Sequence, residues 1–175
     1  LRRVIECDVI GVDPLYNMFG VVSEGWKPFD TPDGTPVLVP AGFNYTVDAN
    51  GNILMHPQGD ISAPPSAKMP RNGFYFDAIE RQEPIREESL NPAANCEEFC
   101  LLSNAEIQHY FKQVNYLYEN TDYGIYVTLG GLAFGDIALV PGPWMKHPRG
   151  IRSVSEWYMS LAARPDYIHK VFATP

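Results

Sequence analysis

The sequence predicts a parallel α/β fold carrying a β-rich insert, and three observations point there. A short apolar run, Asp8 to Val12, ends on Asp13 and Pro14, as a buried parallel strand does where it leaves its sheet. The capping box Ser103-Asn104-Ala105-Glu106 opens a stripe of Ile107, Tyr110, Phe111, Val114, Leu117 and Tyr118 at helical spacing. A β-branched run, Ile125 to Leu129, follows that helix and ends in Gly130-Gly131. Strands alternating with capped helices indicate a parallel sheet.

The chain has 175 residues, enough for a single domain with a sizeable core. With 45% hydrophobic and 19% charged residues, disorder is not expected. A net charge of -8 argues against nucleic acid as a partner, because phosphate binding needs clustered cations. One local basic cluster, Lys146, Arg149 and Arg152, reads as a solvated helix entrance. The three cysteines, Cys7, Cys96 and Cys100, cannot all pair, so a reducing, cytoplasmic setting is expected. Cys96 and Cys100 share a face if their turn is helical, but two thiols fall short of the three or four ligands that zinc needs. No apolar run approaches the roughly 18 residues of a membrane span, so no membrane partner is expected.

Taken in order, Leu1 to Glu6 reads as the last turn of a helix that begins upstream, so a fragment or a processed chain is expected. Leu15 to Val22 is apolar and aromatic, a short helix or a loop; Tyr16, Met18 and Phe19 there either face a site or pack in the core. The pattern turns to β from Trp26, and the insert is placed at about 26–86. Pro36 to Pro40 is a short strand after the Asp33-Gly34 turn. Phe43 to Val47 and Ile53 to His56 flank Asn50-Gly51, a strong hairpin signal. Asp48, Asn50 and Asn52 resemble the start of a calcium loop, but neither the following Gly nor the distal Glu of that loop is present. Gly59 to Gly73, rich in Pro and Ser, reads as an ordered loop. Beyond the second strand, Ile137 to Val140 is a strand or part of a helix, broken by Pro141-Gly142-Pro143. Ser153-Val154-Ser155-Glu156 is a second capping box, and Pro165 stands at a first helical position.

The strand ending Gly11-Val12-Asp13-Pro14-Leu15, with Met18-Phe19-Gly20 after it, resembles the first barrel strand of the uroporphyrinogen decarboxylase superfamily. So does the distal half: Gly130-Gly131-Leu132-Ala133-Phe134-Gly135, then Pro143-Trp144, a capped helix, and Ala163-Arg164-Pro165-Asp166-Tyr167-Ile168-His169. The resemblance covers about half of the chain and rests on order and spacing rather than on one specific motif. It implies a TIM-like (β/α)₈ barrel with its active site at the C-terminal ends of the strands. Such a barrel takes about 250 residues, so this chain would be its N-terminal half, with the insert in a loop. That loop is similar to those of members other than the housekeeping decarboxylases.

By position, Asp13 matches the acid that hydrogen-bonds pyrrole N–H groups in the decarboxylases, and it is the candidate catalytic residue. An anion there stabilises a cationic pyrrole intermediate where water is excluded. The alternative is that Asp13 caps the turn before Pro14. Tyr16, Phe19, Trp144 and His147 are the candidate substrate-binding residues. The sequence departs from the decarboxylases in several places. It has no Arg-x-x-Gly-Arg segment, Val12 stands where a small polar residue is usual, and Met145, Lys146 and His147 follow Trp144 where a Tyr is expected. The superfamily's other branch moves methyl groups between corrinoid carriers and thiols, with zinc held by His-x-Cys and a distant Cys. No His-x-Cys occurs here, and no metal ligand or cofactor is assigned in this chain. Zinc is implied only for a full-length methyltransferase.

Corrinoid-linked methyl transfer to a thiol is therefore the first expectation, with a tetrapyrrole or corrinoid substrate and a corrinoid protein as partner. Uroporphyrinogen III decarboxylation is the second. A non-catalytic binding or interaction protein on the same scaffold is the third, its aromatics Phe43, Tyr45, Phe74, Tyr75 and Phe76 packing on another chain or on the barrel's own helices. Unpaired strand edges predict association with a second copy or with the rest of the barrel.

Overall fold

A computed structural model describes residues 7–96, 101–129 and 140–173. In chain order the elements are β1 (Val9–Val12), β2 (Lys27–Asp30), β3 (Pro36–Val39), β4 (Tyr45–Val47), β5 (Ile53–Met55), β6 (Ala67–Met69), β7 (Asp77–Ala78), α1 (Asn104–Asn120), β8 (Gly124–Val127), α2 (Val154–Ala163) and α3 (Pro165–Ala173). The described residues fall into two units, 7–15 with 101–129 and 16–96 with 140–173.

The first unit is a β-α-β arrangement. β1 and β8 pair in parallel, Val9 opposite Gly124 through Val12 opposite Val127, and α1 packs on both. α1 starts where the sequence places it because both halves of the capping box form. The Ser103 hydroxyl accepts from the Glu106 N–H, and the Glu106 carboxylate accepts from the Ser103 N–H at 2.8 Å. At its far end, Thr121 Oγ1 and Asn120 Nδ2 donate to the Leu117 and Tyr116 carbonyls, two of the acceptors that a helix end leaves open. Val12 and Tyr110 are buried between helix and strands. The expected parallel α/β pairing is observed; among the described residues no barrel closes.

The second unit begins with an irregular turn rather than a helix. The Asn17 side chain accepts from the Phe19 and Val21 N–H groups, and Tyr16 bridges to Val22. β2 and β3 form a hairpin, and β4-β5-β6-β7 form a four-stranded antiparallel sheet in sequence order. The turn between β4 and β5 is closed by Asp48, whose carboxylate accepts from Asn50 N, Asn52 N and Asn52 Nδ2. These bonds, the Asn52 side chain's first, hold the Asp48 carboxyl below its usual range. β6 lies inside the stretch expected to be a loop. Its three residues alternate in and out of the core, too short a run between prolines to signal a strand.

The inner face of these sheets collects Phe19, Val21, Phe43, Met55 and Ala67, with Phe29, Val39 and Phe76 against them. Its rings meet edge to face, Phe19 on Phe76 at 5.4 Å and Phe29 on Phe43 at 5.2 Å, the geometry the ring quadrupoles favour. Phe43 and Phe76 therefore pack within the insert itself, whereas Phe74 and Tyr75 are exposed. His56 is buried at the sheet edge. Its Nδ1 donates to the Ala63 carbonyl at 2.8 Å, so in the neutral ring Nε2 accepts from the Thr46 hydroxyl at 2.9 Å.

A second core joins Val140, Ile151, Trp157, Ile168 and Val171. α2 is capped by the Ser153 hydroxyl on Glu156 N, and Pro165 opens α3. Between them Arg164 bonds Glu87 at 2.7 Å, Glu156 at 3.3 Å and Ser160 Oγ at 3.0 Å. Tyr167 donates to Asn95 Oδ1 at 2.6 Å, and burial pushes its hydroxyl up to about 12. A phenol whose folded pKa lies above its unfolded value of about 10 contributes stability below pH 10. That contribution is lost as pH rises from about 10 to 12. Tyr167→Phe is therefore expected to flatten the alkaline limb of a stability-versus-pH profile over that window, as read by urea midpoints.

Of the basic cluster Arg149 is exposed, as a solvated helix entrance requires, but Arg152 is not. Arg152 is 1% exposed and donates to the carbonyls of Arg149, Val140 and Ala94. Lys146 pairs with Asp60 at 2.7 Å. The guanidinium tolerates burial because several backbone acceptors face its planar fork. The readings made for 1–6, for Cys100, for 130–135 and for most of 137–140 lie outside the described residues. No helix among the described residues is long and apolar enough to cross a membrane.

Candidate functional site

In the first unit, β1 and β8 run parallel, so Asp13 and Thr128 both follow the C-terminal ends of neighbouring strands. The first two turns of α1 are tied to those ends. His109 Nε2 lies 3.1 Å from the Asp13 carbonyl, and the Tyr110 hydroxyl donates to the Thr128 carbonyl at 2.8 Å. A carbonyl can only accept, so His109 carries its proton on Nε2, and in the neutral ring Nδ1 is the accepting nitrogen. Burial pushes the Tyr110 hydroxyl above its usual range, and the Glu106 and Asp13 carboxylates push it the same way. Tyr110 therefore stays a phenol and a donor at neutral pH.

The Asp13 carboxylate differs from the other turn acids. Asp33, Asp48 and Asp60 each accept from main-chain N–H groups two or four residues on. Asp13 is exposed, and among the described residues its carboxylate makes no hydrogen bond or ion pair. The turn before Pro14 is thus formed without a hydrogen bond to that carboxylate, which is open to solvent. His109 joins it at the strand end. Sequence reasoning passed over His109 because its partner is 96 residues away. The signal that would have found it is its place in the first turns of a helix returning from a parallel strand, beside the buried Tyr110.

Tyr16, Phe19, Trp144 and His147 all belong to the second unit. Tyr16 and His147 are exposed and Trp144 is half-buried. Phe19 is 6% exposed and fills the aromatic core, so its ring is a packing group. Its backbone does meet the Trp144 segment. Gln58 N donates to the Phe19 carbonyl at 2.7 Å, and Gln58 Nε2 donates to the Trp144 carbonyl at 3.3 Å. Gly20 makes the close approach possible: with φ +72, a Cβ there would stand 3.2 Å from Trp144 Cβ and 3.1 Å from Gln58 Cγ.

The loop that carries Trp144 is held from several sides. Arg81 Nη1 and Nη2 donate to the Met145 and Gly142 carbonyls, each at 2.6 Å. Burial and the neighbouring Arg152 lower the Arg81 guanidinium from its usual range, yet it stays charged. Further on, Gln82 Oε1 accepts from Arg152 N and Ser153 N, and the Asn95 amide bonds both backbone groups of Ile151. Clefts of about 630 Å³ and 600 Å³ flank residues 82–85. Gln82 and Glu83 line both, Arg86 and Arg149 the first, and Glu156 and Arg164 the second.

Comparison with family models, with curated proteins and with solved structures finds no match for this chain. Among the described residues no group of three His, Cys, Asp or Glu side chains could hold a metal ion.

Proposed function

We propose that the chain is part of a (β/α)₈ barrel enzyme of the uroporphyrinogen decarboxylase superfamily, one that transfers a methyl group between a corrinoid carrier and a thiol. The observation that carries the enzyme reading is Asp13: a carboxylate with no partner among the described residues, directly after β1 in a parallel β-α-β unit. Barrel enzymes keep their chemistry at that end of their strands. Two further features support methyl transfer over the housekeeping reaction. The connection after β1 holds a folded insert with its own aromatic core, and Met145, Lys146 and His147 stand where the decarboxylases have their Tyr. In this reading Asp13 and His109 mark the substrate end of the barrel, and further strands pair the open edges of β1 and β8.

Uroporphyrinogen III decarboxylation is the second reading, favoured by Asp13 itself, since an unengaged anion suits pyrrole N–H groups. The test assays the full-length protein on both substrates. Methyl transfer predicts demethylation of a methylcorrinoid that depends on added thiol and yields one thioether per methyl lost. Release of four carboxylates from uroporphyrinogen, with the methylcorrinoid untouched, would overturn it. Inactivity on both would leave a binding protein.

A further inference from the structure

Gln58 is the only non-glycine residue with a left-handed backbone among the described residues, at φ 56. A side chain in that region costs free energy because its Cβ crowds the carbonyl, and glycine is the usual occupant. Such a residue persists only where its surroundings hold it there. Here the main chain is held by Gln58 N on the Phe19 carbonyl and Gly59 N on the His56 carbonyl. The side chain is exposed, so it is not kept by core packing. Among the described residues its side chain makes one hydrogen bond, from Nε2 to the Trp144 carbonyl, 86 residues away. Two residues on, Asp60 Oδ2 takes Lys146 Nζ at 2.7 Å. The 58–60 turn thus grips the backbone of Trp144 and the side chain of Lys146, with the Phe19–Gly20 turn beneath.

From this we infer that Gln58 is a positioning residue, retained in a strained backbone because its amide fixes the Trp144 loop. The strain and the anchoring are separable, since one belongs to Cβ and the other to the terminal amide. The assignment of Trp144 to substrate rests on the function proposed above; the anchoring does not.

The test compares Gln58→Gly and Gln58→Ala in the full-length protein labelled with 5-fluorotryptophan. The Trp144 ¹⁹F resonance is assigned by its absence from a Trp144→Phe variant. Both variants lack the amide, and only alanine keeps the strain. The expected result is the same shift or broadening of the Trp144 resonance in both. Their melting temperatures should differ, with glycine higher by about 2–4 °C. Gln58→Met, which keeps the length but not the donor, should match them in the spectrum. A Trp144 signal unchanged in both variants would overturn the inference. So would a signal that follows stability, disturbed in alanine and restored in glycine. If the protein is active, KM is expected to rise several-fold in both variants with kcat little changed. Failure of the activity assays would leave the spectroscopic result standing, so the two proposals fail separately.

Discussion

Gly59→Ala is expected to destabilise the second unit by about 3–5 kcal/mol, at the extreme of single-residue effects. A methyl group at this position would lie 2.1 Å from the Gly42 carbonyl oxygen, with backbone rather than a flexible side chain in its way. Neither backbone can retreat cheaply. Residues 42–44 hold Phe43 in the aromatic core, and Asn44 Nδ2 donates to the Gly59 carbonyl at 3.0 Å. On the other side, Gly59 N is bonded to His56, whose ring is buried and bonded at both nitrogens. The φ of +69 adds the ordinary penalty of a left-handed alanine. Gly34→Ala is the control. It has φ +83 but nothing within 4 Å of the added carbon, so it should cost only about 1 kcal/mol. Urea titrations of the two variants check this. Equal losses would show that the contact with Gly42 carries no weight.

What could be read from the sequence follows the range of the forces involved. α1 runs to Asn120, as expected, because its start is a capping box and its stripe is a local periodicity. β1, β8 and the β4-β5 hairpin were legible for the same reason, in β-branched runs and turn residues. Asp13 at a strand end is a local feature too. The second unit's internal framework was not legible. Arg81, Gln82, Asn95 and Gln58 hold residues 142–153 across separations of 56 to 86 residues, and no short window contains both partners. Arg152 misled for a related reason: a charged residue is normally solvated, and only the fold supplies the carbonyls that let this one be buried. Phe19 has the composition of a binding residue and the surroundings of a core residue, a difference set by Phe76 and Phe43 from far along the chain.

Asp13→Asn is expected to leave stability within about 0.5 kcal/mol of the parent, because the carboxylate is exposed and makes no bond among the described residues. Asparagine keeps the shape and the turn-forming ability of aspartate. If the Asp13 carboxylate were only a solvated surface charge, activity would be unchanged. If its charge is used, the two reactions lose it differently. Decarboxylation passes through a cationic pyrrole, so a preformed anion acts on the transition state, and its loss should lower kcat by about 10²–10³-fold. Methyl transfer to a thiol builds no such cation beside the acid. There Asp13 holds substrate donors equally in ground and transition states, so KM should rise while kcat holds. Steady-state kinetics of the full-length variant on whichever substrate turns over therefore does two things. It decides whether the carboxylate is functional, and the parameter that changes identifies which chemistry the end of β1 serves.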